Sequence, residues 1–169
     1  WNPLLASIKQ QTAVTQVYSS RYIPGEIVDL MVVNSTTLAA HPELGKALTG
    51  AWFETQRLMG QTSSEGQAAR AKMAAAAGTT AEDFDEQLRT LRSFYSPRPA
   101  LAFASSENMP QLMQRVVNFA NGQKLLGEDG NGLSRLGISF GDSLVMGNNK
   151  QIKLRFDPTY LQLATDQQL

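Results

Sequence analysis

The 169-residue chain contains no cysteine and a single histidine, His41. The lack of cysteine excludes thiolate catalysis, disulfides, thiolate zinc sites and iron–sulfur clusters, and one histidine cannot form a multi-histidine metal site within one chain. Neither sign of charge is in excess, because 15 Lys and Arg balance 15 Asp and Glu. This balance argues against a nucleic-acid partner or an anionic membrane surface. No apolar run approaches the roughly 20 residues that span a bilayer.

The composition that remains is that of a globular protein, with 42% hydrophobic and 18% charged residues. The sequence opens on Trp1, with no initiator methionine and no signal-peptide core. A large aromatic first residue leaves apolar area in water at a cost of about 25 cal/mol per Å². We therefore expect Trp1 to lie inside a longer parent chain.

Residues 27–33 form the most apolar run of the sequence. Their length and β-branched content predict a strand buried on both faces, as in a parallel sheet. Asp29 is the one charged residue in this run, and an interior carboxylate needs a partner or a polar surface. The sequence leaves open whether Asp29 faces a polar cleft, forms a structural ion pair with a cation such as Arg21, or lies on a partly wet face.

Capping residues and apolar spacing predict helices along most of the remaining chain. We expect helices over residues 4–11, over 36–40 after Asn34-Ser35, from Pro42 to Gly60, from Ser63 or Ser64 to residue 77, after Thr80, over 108–125 and over 158–164. In the helix from Pro42 to Gly60, the expected apolar stripe is Leu44, Leu48, Trp52 and Met59. In the helix over 108–125, the residues expected to be buried are Met109, Leu112, Met113, Val116 and Ala120. Residues 138–140 and 144–146 predict a hairpin, and residues 152–156 predict a half-exposed strand.

Arrangements that would carry catalysis do not occur in this sequence. His41 precedes Pro42, where a cap or an exposed residue is expected, and Glu82-Asp83 suits the first turn of a helix. The glycine-rich residues 122–147 lack the pattern of a phosphate-binding loop. We therefore assign no catalytic residue, no metal ligand and no cofactor.

Four separated segments of the chain occur in the same order as in a known group of proteins. They resemble the substrate-binding proteins of ABC transporters for urea, nitrate, taurine and sulfonates, most of all those assigned to urea. The resemblance covers nearly the whole chain. The segments are Trp1-Asn2-Pro3, residues 23–34 (IPGEIVDLMVVN), residues 47–54 (ALTGAWFE) and residues 154–160 (LRFDPTY).

This resemblance implies an α/β fold of the type II periplasmic-binding-protein kind, helix-rich with a few strands, in which a solute binds between two lobes. The chain would be the C-terminal half of an exported bacterial protein. Residues 1–26 would close the second lobe and form the hinge, and residues 27–169 would be the C-terminal part of the first lobe. The implied partners are a small solute, a membrane permease and the N-terminal half of the same protein, in the periplasm.

The same resemblance implies which residues contact the ligand. Trp1 and Asn2 match the tryptophan motif that lines the cleft, and Glu26 and Asp29 lie in or after the segment near the hinge. A carboxylate beside the ligand would favour a neutral or cationic amide over nitrate or a sulfonate. Two alternatives stay open: an enzyme on the same scaffold, akin to a pyrimidine synthase or a desulfinase, and a non-catalytic helical interaction module.

Overall fold

A computed structural model describes residues 4–9, 11, 13–23, 25–128, 130–141 and 144–169. Over these residues the fold is mixed α/β and helix-rich, with a small three-stranded sheet, which confirms the predicted class at that level. The helices are α1 (Leu4–Lys9), α2 (Ser35–Ala40), α3 (Pro42–Met59), α4 (Ser64–Ala76), α5 (Ala81–Arg89), α6 (Pro97–Ala104), α7 (Asn108–Gly122), α8 (Gly132–Arg135) and α9 (Thr159–Thr165), and residues Ser20–Tyr22 form a 3₁₀ turn.

The predicted caps explain where three of these helices begin. The side chains of Asn34, Ser63 and Thr80 each accept a hydrogen bond from a backbone N–H in the first turn of α2, α4 and α5, respectively. Each cap satisfies a donor that the start of a helix otherwise leaves unpaired. The predicted starts of these helices are therefore confirmed, whereas no sequence pattern predicts α6 or α8.

The sheet contains the strands β1 (Gly137–Phe140), β2 (Leu144–Gly147) and β3 (Ile152–Phe156), in the order β2-β1-β3. Strands β1 and β2 are antiparallel and form the predicted hairpin, whereas β3 runs parallel to β1. Residues along β3 alternate between half-buried and exposed, as predicted for a strand with one wet face.

The chain divides into two compact units. Unit 1 consists of Trp1–Ile27 and Gly50–Ser96, and unit 2 consists of Val28–Thr49 and Pro97–Leu169. In unit 1, α4 packs against α5. In unit 2, α6 packs against α9, and the core forms around three buried residues of α7, which are Met109, Leu112 and Met113. Side chains packed against that core are Val28, Phe103, Phe140, Met146 and Phe156.

The apolar stripe predicted for α3 is wrong at its centre. Trp52 is 47% exposed, and the buried positions of this helix are instead Gly45, Thr49, Phe53 and Gln56. A side chain at Gly45 would collide with the ring of Tyr160, which lies directly against the helix backbone. The buried face of α3 therefore includes a glycine and two polar residues, which a search for large apolar residues overlooks. A similar shift by one residue occurs in α7, where Val117 is buried and Val116 is 41% exposed.

The strand predicted for residues 27–33 is also wrong, because these residues form neither helix nor strand. A strand is stable only when its N–H and C=O groups pair with a neighbouring strand. Among the described residues, none supplies such a ladder to residues 27–33. Local sequence therefore favours an extended conformation here, but the described part of the chain provides no sheet that could contain it.

Candidate functional site

Of the four predicted ligand-binding residues, Trp1 and Asn2 lie outside the described residues. Glu26 is half-buried in the connection after the 3₁₀ turn, and its backbone N–H donates to the carbonyl of Ile23 at 3.2 Å. Asp29 lies three residues further along and is exposed. The structure therefore gives the positions of two predicted residues, and the ligand role of all four stays a prediction.

Of the environments that the sequence leaves open for Asp29, the ion pair with Arg21 does not form. The Asp29 side chain is exposed to solvent and has no hydrogen-bond or ion-pair partner among the described residues. The guanidinium of Arg21 instead donates from Nη2 to the backbone carbonyl of Arg89 at 2.9 Å. Water solvates the Asp29 carboxylate, so its charge needs no internal partner.

Residues 27–33, which we call the 27–33 segment, expose large apolar side chains. The exposed fraction is 59% for Ile27, 46% for Leu30, 50% for Met31 and 70% for Val32. Consecutive apolar residues in water are unfavourable, and an extended backbone without a ladder presents free hydrogen-bonding groups. This segment is therefore a candidate surface for pairing with further polypeptide.

A second candidate feature lies in unit 1, at the junction of α3, α4 and α5. Arg70 of α4 donates from Nε to Asp85 Oδ1 of α5 at 2.7 Å. Its Nη1 donates to the carbonyl oxygens of Met59 at 3.1 Å and Gln61 at 2.6 Å, at the end of α3. One side chain thus links three helices and satisfies carbonyls that the C-terminus of α3 leaves unpaired.

Small residues allow these helices to approach closely. Ala74 of α4 is 1% exposed, and a Cβ added to Gly66 would lie 2.5 Å from the carbonyl oxygen of Gln61. The backbone after α3 can therefore pass directly over the first turn of α4. This approach brings the carbonyls of residues 59 and 61 within reach of Arg70, and only 14% of the Arg70 side chain remains exposed.

A cleft of about 190 Å³ opens beside this junction. Its lining combines apolar and aromatic side chains with charged groups of α4 and α5. The residues that matter for its chemistry are Met59, Arg70, Asp85, Leu88, Arg89 and Tyr95. Arg89 also donates from Nη1 to Glu86 at 2.7 Å, in an ion pair exposed to solvent.

No local sequence pattern marks this cleft. Arg70 and Asp85 are 15 residues apart and lie on different helices, so no local spacing joins them. The only sequence signal is that Arg70 lies within the alanine-rich stretch of α4. The sequence is equally compatible with a solvent-exposed Arg70. The contact requires the tertiary approach of α4 to α5.

The described residues contain no group of three or more histidines, aspartates and glutamates placed to hold a metal ion. Within the same residues, no helix combines the length and apolar character needed to cross a membrane. The cleft itself presents two guanidinium groups, a carboxylate and apolar side chains.

Comparison with known proteins gives no further assignment. No protein family, no curated protein and no solved structure matches this chain.

Proposed function

We propose that this chain belongs to the solute-binding component of an ABC importer, a periplasmic protein that captures a small polar solute between two lobes. The observation that carries the proposal is the exposed 27–33 segment. It has the composition of a buried strand, yet Ile27, Leu30, Met31 and Val32 all face solvent.

This observation supports a larger parent fold for a physical reason. Apolar area removed from water contributes about 25 cal/mol per Å², so four exposed side chains represent a substantial unused stabilisation. A sheet supplied by further polypeptide would bury them and pair their backbone groups. In the proteins that the sequence resembles, a strand at this position carries the chain back into the first lobe.

The division of the chain agrees with a hinge in the same region. The chain leaves unit 1 after Ile27 and enters unit 2 at Val28. The expected hinge segment ends at residue 26, one residue before the point where the chain first leaves unit 1. Two lobes that close around a ligand need such a connection, because closure is absorbed by a few residues between packed elements.

The proposed ligand contacts are Trp1, Asn2, Glu26 and Asp29, and no catalytic step is proposed. An aromatic plane and an amide can hold a small planar solute, while a carboxylate accepts hydrogen bonds from its N–H groups. The ligand class is therefore a urea-like neutral or cationic amide. Nitrate and sulfonates are disfavoured, because like charges repel strongly in a water-poor cleft. The closed form would then dock on the membrane permease.

Calorimetric titration of the complete parent protein with urea, acetamide, nitrate and taurine tests this function. We expect the amides to bind, and Glu26→Gln to weaken their binding about tenfold, because a charge-assisted hydrogen bond is lost. The matched control is Glu43→Gln, since Glu43 is exposed and contacts His41 rather than a proposed ligand residue. Equal weakening of amide binding by both variants would contradict a ligand contact at Glu26.

Tighter binding of nitrate than of urea would overturn the assigned ligand class. Absence of binding by all four solutes would overturn the solute-binding function itself. Pairing of the 27–33 segment has an independent readout, namely slow amide hydrogen exchange at residues 27–33 in the parent protein and fast exchange in the 169-residue chain.

A further inference from the structure

We infer that the cleft of unit 1 binds a small organic carboxylate, with the Arg70 guanidinium as the anion-binding group. This site goes beyond the proposed solute-binding function and uses none of the residues assigned to it. Nε and Nη1 of Arg70 are occupied by Asp85 and by the two carbonyls at the end of α3.

The remaining nitrogen of Arg70, Nη2, has no hydrogen-bond partner among the described residues. This unpartnered nitrogen is not fully buried, so part of its surface is accessible to solvent. The concave surface that Arg70 lines is the cleft. A guanidinium held in place by three hydrogen bonds with one nitrogen still accessible is preorganised for an anion, since no rotamer freedom is lost on binding.

Local charge favours an anion over a cation. The charged residues that line the cleft are Arg70, Arg89 and Asp85, which leaves one positive charge in excess. Asp85 is already paired with Arg70 at 2.7 Å, so it offers a cation little unpaired charge. A carboxylate would accept a hydrogen bond from Arg70 Nη2, and the positive charge of Arg89 would attract it further.

The apolar part of the cleft lining determines the rest of the ligand. Met59, Leu88 and Tyr95 present apolar and aromatic surface to the cleft. Inorganic anions would leave this surface in contact with water, whereas a carboxylate with a small ring or chain would cover it. The cleft is open to solvent, and its volume of about 190 Å³ accommodates a single ring or a short chain.

Titration of the 169-residue chain with benzoate, its neutral isostere benzamide and inorganic phosphate tests the site. We expect benzoate to bind at least about tenfold more tightly than benzamide, since only the anion makes charge-assisted hydrogen bonds. Arg70→Lys should weaken benzoate binding about tenfold, because lysine keeps the charge but loses the fork of donors. The control Arg98→Gln, an exposed residue of α6 outside the cleft lining, should leave the affinity unchanged.

Because Arg70 also links three helices, two variants at the exposed rim keep the test independent of folding. Arg89→Gln should weaken benzoate binding about threefold through lost positive charge, and Tyr95→Ser should weaken it through lost ring contact. Similar affinities for benzoate and benzamide, tighter binding of phosphate than of benzoate, or an equal effect of Arg98→Gln and Arg89→Gln would each overturn the inference.

Discussion

The Arg70 guanidinium lies 2.7 Å from the carboxylate of Asp85, and this ion pair joins α4 to α5. The two side chains differ in exposure, with 14% of Arg70 and 39% of Asp85 reaching solvent. The pair therefore sits at the boundary of unit 1 rather than deep inside it. Its structural value comes mainly from the additional hydrogen bonds of Arg70 to the carbonyls of Met59 and Gln61.

Replacing Arg70 should destabilise the protein far more than replacing an exposed arginine. We expect Arg70→Gln to lower the free energy of unfolding by about 2 kcal/mol, because the hydrogen bonds of a largely buried guanidinium to Asp85 and to two carbonyl oxygens are lost together. Arg89→Gln removes an exposed i,i+3 pair with Glu86 and should cost less than about 0.5 kcal/mol. Urea unfolding of both variants measures the difference, and equal losses would contradict this account.

The N-cap of α5 should account for a measurable part of the stability of unit 1. Thr80 Oγ1 accepts from the backbone N–H of Asp83 at 3.1 Å. Thr80→Ala removes that acceptor and should lower the free energy of unfolding by about 1 kcal/mol. The same substitution at Thr55, an exposed position within α3, should be neutral or slightly stabilising, because alanine is the better helix former. Thermal unfolding compares the two.

A side chain at Gly45 should disrupt the packing of α3 against Tyr160. The added Cβ would overlap the Tyr160 ring, and Tyr160 also donates its hydroxyl to the carbonyl of Pro42 at 3.3 Å. We expect Gly45→Ala to cost about 2 kcal/mol through this overlap. At Gly122 an added Cβ meets open space, so Gly122→Ala should instead stabilise the chain by about 0.5 kcal/mol. Chemical denaturation measures the change in the free energy of unfolding for both variants and shows whether it is a loss or a gain.

Glu54 and Arg57 should give a small pH dependence to stability on the acid side. The hydrogen bond from Arg57 is the largest cause that lowers the pKa of Glu54 below its usual value of 4.5, and the positive charge of Arg57 adds to this effect. A carboxyl group with a depressed pKa stabilises the folded state above its unfolded pKa, and this contribution is lost as the pH falls through the folded pKa. The contribution is therefore fully present at neutral pH, begins to fall near pH 4.5 and is lost as the pH drops through the lower pKa of the folded state.

Denaturant midpoints measured from pH 7 to pH 3 check this dependence. The stability of Glu54→Gln should fall less steeply as the pH is lowered, because the contribution of the Glu54 carboxyl group is missing. The stability of the control Glu65→Gln should keep the wild-type contribution of Glu54. The effect should be small, because both side chains of the pair are about half exposed. An unchanged slope in Glu54→Gln would contradict the assignment.

The exposed 27–33 segment should influence association more than folding. Val32 is 70% exposed, so Val32→Asp should change the free energy of unfolding of the 169-residue chain by no more than about 0.5 kcal/mol. The added charge should reduce self-association, since charges on an exposed strand-like segment oppose edge pairing. Val117 is 5% exposed, and Val117→Asp serves as the buried control that should prevent folding. Circular dichroism and light scattering measure the two properties.

Local signals identified the elements that local physics controls. Asn34, Ser63 and Thr80 cap helices as predicted, because a short polar side chain satisfies first-turn donors wherever it stands. The hairpin of β1 and β2 likewise depends on neighbouring residues. The parallel pairing of β3 with β1 was not predicted, since periodicity shows that a strand exists but not which strand it pairs with.

The cleft and the fate of the 27–33 segment depend on contacts between distant residues. Arg70 could have been a solvated helix residue, and only the approach of α4 to α5 places its guanidinium between Asp85 and the end of α3. The 27–33 segment has every local feature of a strand, yet a strand needs a neighbour, and the described residues supply none. The sequence alone thus determined the helix starts, the hairpin and the lack of cysteine chemistry. Tertiary structure decided which faces are buried and which charges meet, because burial and ion pairing are properties of residues brought together from different parts of the chain.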